Sequence, residues 1–172
     1  MDAESFSSIL LQPFTSWAMD LIGPLPATTS GHTWIVTWVD HTSKMIVAAA
    51  AKEGQMSSEA LVLMTFREIC CRFGLPLHLT IDNDVKFVSF LWQSLWNLSG
   101  TKFRFTSSYN PQSDPAELAN RQVFEAFRAA VATVVQYNEW DAALPHVTFG
   151  LNMHVSTATK VSPFEFAHGF PA

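Results

Sequence analysis

Apolar runs separated by turn residues set the rhythm of the first third of the chain. They fall at roughly 16–22, 33–40 and 44–50, the second rich in Trp, Ile, Val and Thr. Runs of this kind, bounded by Gly, Pro, Asp and Ser, predict strands. Pro24, Pro26, Ser30 and Gly31 supply the first turn and Asp40 to Ser43 the second, so the three strands predict an antiparallel meander. The period then changes. Ser57-Ser58-Glu59 has the form of a helix start, and Ala60, Leu63, Met64, Phe66, Ile69 and Cys70 recur at helical spacing until Gly74-Leu75-Pro76. Residues 77–81 predict a short strand ending at Asp82. Phe87, Phe90, Leu91, Leu95 and Leu98 predict a helix over 87–98 closed by Gly100, and 102–107 predicts a fifth strand. A long helix from about 115 to 138 and a shorter one from about 140 to 153 complete the order β-β-β-α-β-α-β-α-α.

Composition narrows the picture. A chain of 172 residues suits one domain with a real core. Residues 1–12 carry no clear repeat or charge run and read as a lead-in, leaving 13–172 as the domain. Hydrophobic residues make up 48% and charged residues 15%, against a usual charged share of about 25%. Some apolar surface is therefore expected to meet a partner, and Trp92, Trp96 and Trp140 are candidates for a face covered by a second copy. The net charge of −5 argues against an electrostatic grip on nucleic acid by this domain alone. Cys70 and Cys71 are adjacent, which ill suits disulfide geometry, and they fit a reducing compartment and a buried helix face. With no apolar run of about 18 residues and no basic leader, a soluble intracellular protein without a membrane partner is expected. The six histidines lack zinc-ligand spacing, and no P-loop, nucleophile-elbow or dinucleotide fingerprint occurs.

Three acidic residues carry the candidate chemistry. Asp20 sits in an apolar strand between Met19 and Leu21, where a carboxylate must be paired, hydrogen-bonded or metal-bound; capping a turn with Gly23 is the alternative. Asp82 follows His78-Leu-Thr-Ile81 at the carboxyl end of a strand, where α/β sheets place ligand sites, although Asp-Asn-Asp is also an ordinary turn sequence. Glu117 fits a capping box with Asp114 at N-cap and Pro115 at N1, a structural role, as well as it fits a ligand. Acidic oxygens suit hard Mg²⁺, and paired ions can clamp the attacking and leaving oxygens of a displacement at phosphorus. Arg121 and Arg128 follow Glu117 by four and seven more residues and offer a face for phosphates; a Glu117–Arg121 pair within the helix is the plainer reading of Arg121.

With their flanks, these residues resemble the catalytic core of retroviral and Ty3/gypsy-type retrotransposon integrases, from about Pro13 to Pro171. The carriers are Trp17-Ala-Met-Asp20-Leu-Ile-Gly-Pro-Leu-Pro26, Trp38-Val-Asp40-His-Thr-Ser-Lys44, Phe73-Gly-Leu-Pro76, Asp82-Asn83 leading to Phe87, Tyr109-Asn-Pro-Gln-Ser-Asp114, Asn120-Arg121 and Ser162-Pro-Phe-Glu-Phe166. The resemblance implies an α/β, RNase H-like fold: a five-stranded mixed sheet, three antiparallel strands first, flanked by helices. It implies a polynucleotidyl transferase that cleaves a DNA 3′ end and joins it to target DNA, with Asp20, Asp82 and Glu117 holding Mg²⁺ or Mn²⁺. Lys86, Asn110, Gln112, Asn120, Arg121 and Arg128 become candidate DNA contacts, a homodimer or higher oligomer the assembly, and the nucleus the place of action. Departures from the family pattern are Asp84 and Pro115 in place of glycines, Asn110 in place of histidine, and 34 residues between Asp82 and Glu117, one fewer than the family's spacing. They motivate a second reading, a degenerate or domesticated core kept as a catalytically weak nucleic-acid-binding or dimerisation module.

Overall fold

The structure is a computed structural model that describes residues 12–82, 100–106, 115–155 and 160–171, with backbone alone for Asp82, 103–106 and 115–119. Strands β1 (Ser16–Ile22), β2 (Trp34–Asp40), β3 (Ile46–Ala51), β4 (His78–Asp82) and β5 (Lys102–Thr106) form one sheet in the order β3-β2-β1-β4-β5. The first three are antiparallel, as their short connections require, while β4 pairs parallel with both β1 and β5. The five-stranded mixed sheet expected from the sequence is present, with the Asp20 and Asp82 strands adjacent at its centre.

Between β3 and β4 lies α1, Ser58–Thr65, continued by a wide turn at Phe66–Cys70 and a last turn at Cys71–Phe73. Ser57 caps it by accepting from the Ala60 amide, and Gly74 at φ 91° ends it. Next come α2 (Pro115–Ala132), α3 (Trp140–Met153) and α4 (Pro163–His168). The last has a Ser162 cap, Pro163 in its first turn and Gly169 at φ 78° beyond its end.

Two apolar layers sandwich the sheet. Strand alternation sends Trp17, Met19, Val36, Trp38, Leu79 and Ile81 to the face covered by Leu61, Val62, Met64 and Ile69 of α1. The opposite face carries Ile35, Val39 and Ile46 beneath Phe127 and Val131 of α2 and Trp140 and Leu144 of α3. Strand β2 is buried along almost its whole length, which explains why its sequence shows no polar alternation.

Three expectations are corrected, and others lie beyond the described residues. The helix expected to reach 138 stops at Ala132, and turns follow to Glu139; the Asn138 carbonyl is taken by the Thr29 amide at 2.9 Å. Trp140 is internal, its Nε1 donating to the Pro26 carbonyl at 2.9 Å, so it offers nothing to a second copy. Cys71 is exposed and Cys70 half-buried, and burial, with the neighbouring Cys71, pushes the Cys70 thiol up to about 11. Helix α4, only six residues long, is too short to leave a periodic pattern in the sequence. The helix expected over 87–98, with Trp92 and Trp96, lies outside the described residues, as do Asp84, Lys86, Asn110, Gln112 and Asp114.

Gly23, where β1 leaves the sheet, has φ 151°, and a Cβ there would fall 2.6 Å from Trp34 Cε3 and 2.9 Å from the Thr33 carbonyl oxygen. Backbone and an indole ring cannot both yield, so Gly23→Ala is expected to cost about 1–3 kcal/mol by overpacking. Urea unfolding of the variant checks this; an unchanged midpoint would contradict it.

Candidate active site

The site begins with strand register. Met19 pairs with Ile81 across the parallel β1–β4 ladder, so positions 20 and 82 follow as neighbours on the next rung. The pleat that buries Met19 in one layer turns Asp20 to the other face, where Arg128 of α2 meets it. Asp82 ends β4, and its backbone pairs with Thr106 of β5. Adjacent strands lie about 4.8 Å apart, so two acidic positions sit side by side toward the carboxyl ends of parallel strands, where such sheets bind ligands.

The Asp20 side chain is half-buried at 20% exposure. Its Oδ2 accepts from Arg128 Nη2 at 2.5 Å, and its backbone carbonyl accepts from Thr37 Oγ1. Arg128 reaches it from α2 because Phe127 and Val131, on either side, are locked in the core at 0% and 2% exposure. Glu117 stands in the first turn of the same helix, eleven residues before Arg128; the side chains of Glu117 and Asp82 lie outside the described residues. Among the described residues no group of three His, Cys, Asp or Glu side chains converges.

A second polar cluster ties the early part of α2 to the β2–β3 turn. Asn120, expected to face DNA, is instead buried at 4% exposure. Its Oδ1 accepts from Lys44 Nζ at 2.7 Å and its Nδ2 lies 2.8 Å from His41 Nδ1, so the amide is consumed inside the protein. Lys44 also donates to the His41 carbonyl at 2.7 Å, from a left-handed backbone at φ 64°. Asp40 holds this turn closed: Oδ1 accepts from the Phe14 amide, and Oδ2 from both the Ser43 amide and hydroxyl at 2.7 Å. Burial pushes the Asp40 carboxyl above its ordinary range despite the bonds from Ser43 and Phe14 that favour its charged form. Burial likewise pushes the Lys44 ammonium down, with the Asp40 charge opposing. Asp40 to Ser43 form the turn expected from their residue types, and Asp40 is what closes it. A side chain that bonds its own chain three residues on is a local signal that was there to be read.

Arg121 is exposed and pairs with Glu125 Oε1 at 3.0 Å, so the helical partner is the residue four after it. The histidines, read as scattered, include a second with a defined role beside His41. His32 Nδ1 lies 2.7 Å from Asp141 Oδ2, which also accepts from Thr28 Oγ1, and the group pins the β1–β2 loop to the first turn of α3. Burial alone would raise the Asp141 carboxyl, but the bonds from His32 and Thr28 outweigh it and hold the group below the usual carboxylate range.

The donor chemistry fits a hard divalent cation. Asp20 offers a half-buried carboxylate with an acidic position beside it on β4, and oxygen is what Mg²⁺ or Mn²⁺ takes. A mixed five-stranded sheet with acidic residues on neighbouring parallel strands and helices over both faces defines an RNase H-like domain.

Residues 11–111, more than half of the chain, match the integrase core domain, and the chain belongs to that family. It is 28% identical over 160 residues to the Tf2-3 and Tf2-4 transposon polyproteins of Schizosaccharomyces pombe, a match covering 92% of this chain and 12% of each polyprotein. The chain thus spans about an eighth of those relatives. Among solved structures it resembles the catalytic core of BIV integrase, with TM-score 0.67 at 20% identity over 89% of this chain and 93% of that one. The HTLV-2 integrase catalytic core in complex with magnesium, in a trimeric form, gives 0.68 at 18% identity over 92% and 99%. A chain of the simian T-cell lymphotropic virus intasome, solved with a PP2A regulatory subunit, gives 0.72 at 20% identity over 92% and 55%. At these identities the structures speak to the fold alone.

Proposed function

We propose that this integrase core is a divalent-metal-dependent polynucleotidyl transferase that trims a DNA 3′ end and joins it to target DNA. The observation that carries the reading is the placing of positions 20 and 82 side by side on adjacent parallel strands, the rung after the Met19–Ile81 pair. Asp20, Asp82 and Glu117 would hold Mg²⁺ or Mn²⁺, which when bound neutralises charge developing on the phosphoryl oxygens and lowers the pKa of an attacking oxygen. Attack of water on the phosphorus near the end releases a short 3′ fragment. Attack of the new 3′-hydroxyl on a target phosphodiester then forms one P–O bond as another breaks, and the proton lost by the hydroxyl ends on the leaving 3′-oxygen. The chain's own part is geometric: β1 and β4 set positions 20 and 82 side by side, and the polar bracket of Lys44, His41 and Asn120 fixes the early turns of α2 that carry Glu117.

Lys86, Asn110, Gln112 and Arg121 remain proposed DNA contacts, Arg121 being exposed and held only by a surface pair whose worth is a few tenths of a kcal/mol. Asn120 joins the positioning bracket. Assembly as a homodimer or larger oligomer and action in the nucleus belong to the same proposal.

The ion pair between Arg128 and Asp20, together with the short spacing before Glu117, favours one other reading: a core retained as a weakly catalytic or non-catalytic module. Thermal shift separates the two. Clustered carboxylates repel, so Mg²⁺ or Mn²⁺ should raise the wild-type melting temperature, and Asp82→Asn should shrink the gain. Glu117→Gln keeps a capping box, so an unchanged shift makes Glu117 a cap, whereas a smaller shift with lost strand transfer makes it a ligand. No shift in any of the proteins would favour the module.

A further inference from the structure

We propose that Arg128 competes with the divalent cation for the Asp20 carboxylate, so that metal uptake expels the guanidinium and frees it for a DNA phosphate. The proposal rests on the reading of Asp20 as a metal ligand.

Three observations carry it. Arg128 Nη2 already sits on Asp20 Oδ2 at 2.5 Å, and two cations cannot share that oxygen without strong repulsion. The helix position is fixed, since Phe127 and Val131 are fully buried, while the Arg128 side chain is half exposed at 51%. The guanidinium can therefore swing away without disturbing the core. Nearby cations on described side chains are spoken for: Lys44 is held by Asn120 and the His41 carbonyl, and Arg121 by Glu125. Arg128 is thus the α2 cation aimed at the carboxylate the metal needs.

Its planar fork suits a phosphate as well as a carboxylate. In a chain carrying 15 acidic residues against 10 lysines and arginines, a released arginine is a substantial share of the cationic surface. By linkage, whatever metal does to DNA affinity through this residue, DNA must do to metal affinity by the same factor.

The test is calorimetric titration with Mn²⁺ of wild type, Arg128→Gln, Arg128→Lys and Asp20→Asn, paired with binding of a short DNA duplex with and without Mn²⁺. Removing a partly exposed competitor should tighten Mn²⁺ binding of Arg128→Gln roughly threefold to tenfold, with Arg128→Lys between. Mn²⁺ should strengthen duplex binding more in wild type than in Arg128→Gln. Equal or weaker Mn²⁺ binding by Arg128→Gln, with Asp20→Asn clearly impaired, overturns the competition and leaves the metal site standing. An Asp20→Asn variant that takes up Mn²⁺ as well as wild type fails the metal-ligand reading itself, and the competition falls with it.

Discussion

Asp20→Asn is expected to lower strand transfer at least about a hundredfold while leaving the protein folded. Charge stabilisation by a bound ion is worth several kcal/mol in such reactions, and each ~1.4 kcal/mol is tenfold in rate. The side chain lies at the edge of the apolar layer and its pairing is with a half-exposed arginine, so the amide should cost little stability. Cooperative urea unfolding near the wild-type midpoint, together with a joining assay on a DNA-end substrate, checks both halves. Joining that survives the substitution would remove Asp20 from the chemistry.

Asp40→Ala is expected to be among the most damaging single changes to the fold, costing about 3 kcal/mol or more. It orphans the Phe14 amide and both Ser43 donors, and each buried polar group left without a partner costs about 1–3 kcal/mol. Because Lys44 then loses its closed turn, the Asn120 bracket and the early part of α2 should loosen with it, visible as faster amide exchange there. The sign of the pH dependence follows from the raised Asp40 carboxyl. A carboxyl that holds its proton more tightly when folded adds stability below its unfolded pKa of about 3.9, and that contribution is lost as pH rises through the folded value. The stability gap between wild type and Asp40→Asn should therefore narrow on going from acid toward neutral pH. A gap that widens would contradict the assignment.

Strands and the first helix were legible because their patterns are local. The short apolar runs of β1 and β2, bounded by turn residues, and the Ser57-to-Gly74 punctuation of α1 are written in neighbouring residues. The pairing of the Asp20 and Asp82 strands could also be anticipated, from the order of the strands and the need to bring two distant carboxylates together. What the sequence hid was long-range. Val134 and Val135 continue the apolar pattern of α2, yet the chain turns there because the Asn138 carbonyl is claimed by Thr29 on the β1–β2 loop. Arg128 looked like part of a phosphate-facing stripe; its partner lies on a strand 108 residues earlier, which helical spacing cannot reveal. Asn120 was a candidate DNA contact through the resemblance alone, but two groups of the β2–β3 turn satisfy its amide and permit its burial. Trp140 looked like interface because a sparingly charged chain rich in aromatics suggests apolar surface, and the loop at Pro26 covers it instead.

The claim on which the rest depends is that Asp20 and Asp82 share a divalent cation, and a crystal of the protein soaked in Mn²⁺ can answer it through anomalous scattering. The expected map has a peak about 2.0–2.4 Å from a carboxylate oxygen of each residue, with the Arg128 guanidinium turned off Asp20. A map without a peak there, with Arg128 still seated on the Asp20 carboxylate at saturating Mn²⁺, would contradict the metal-site account.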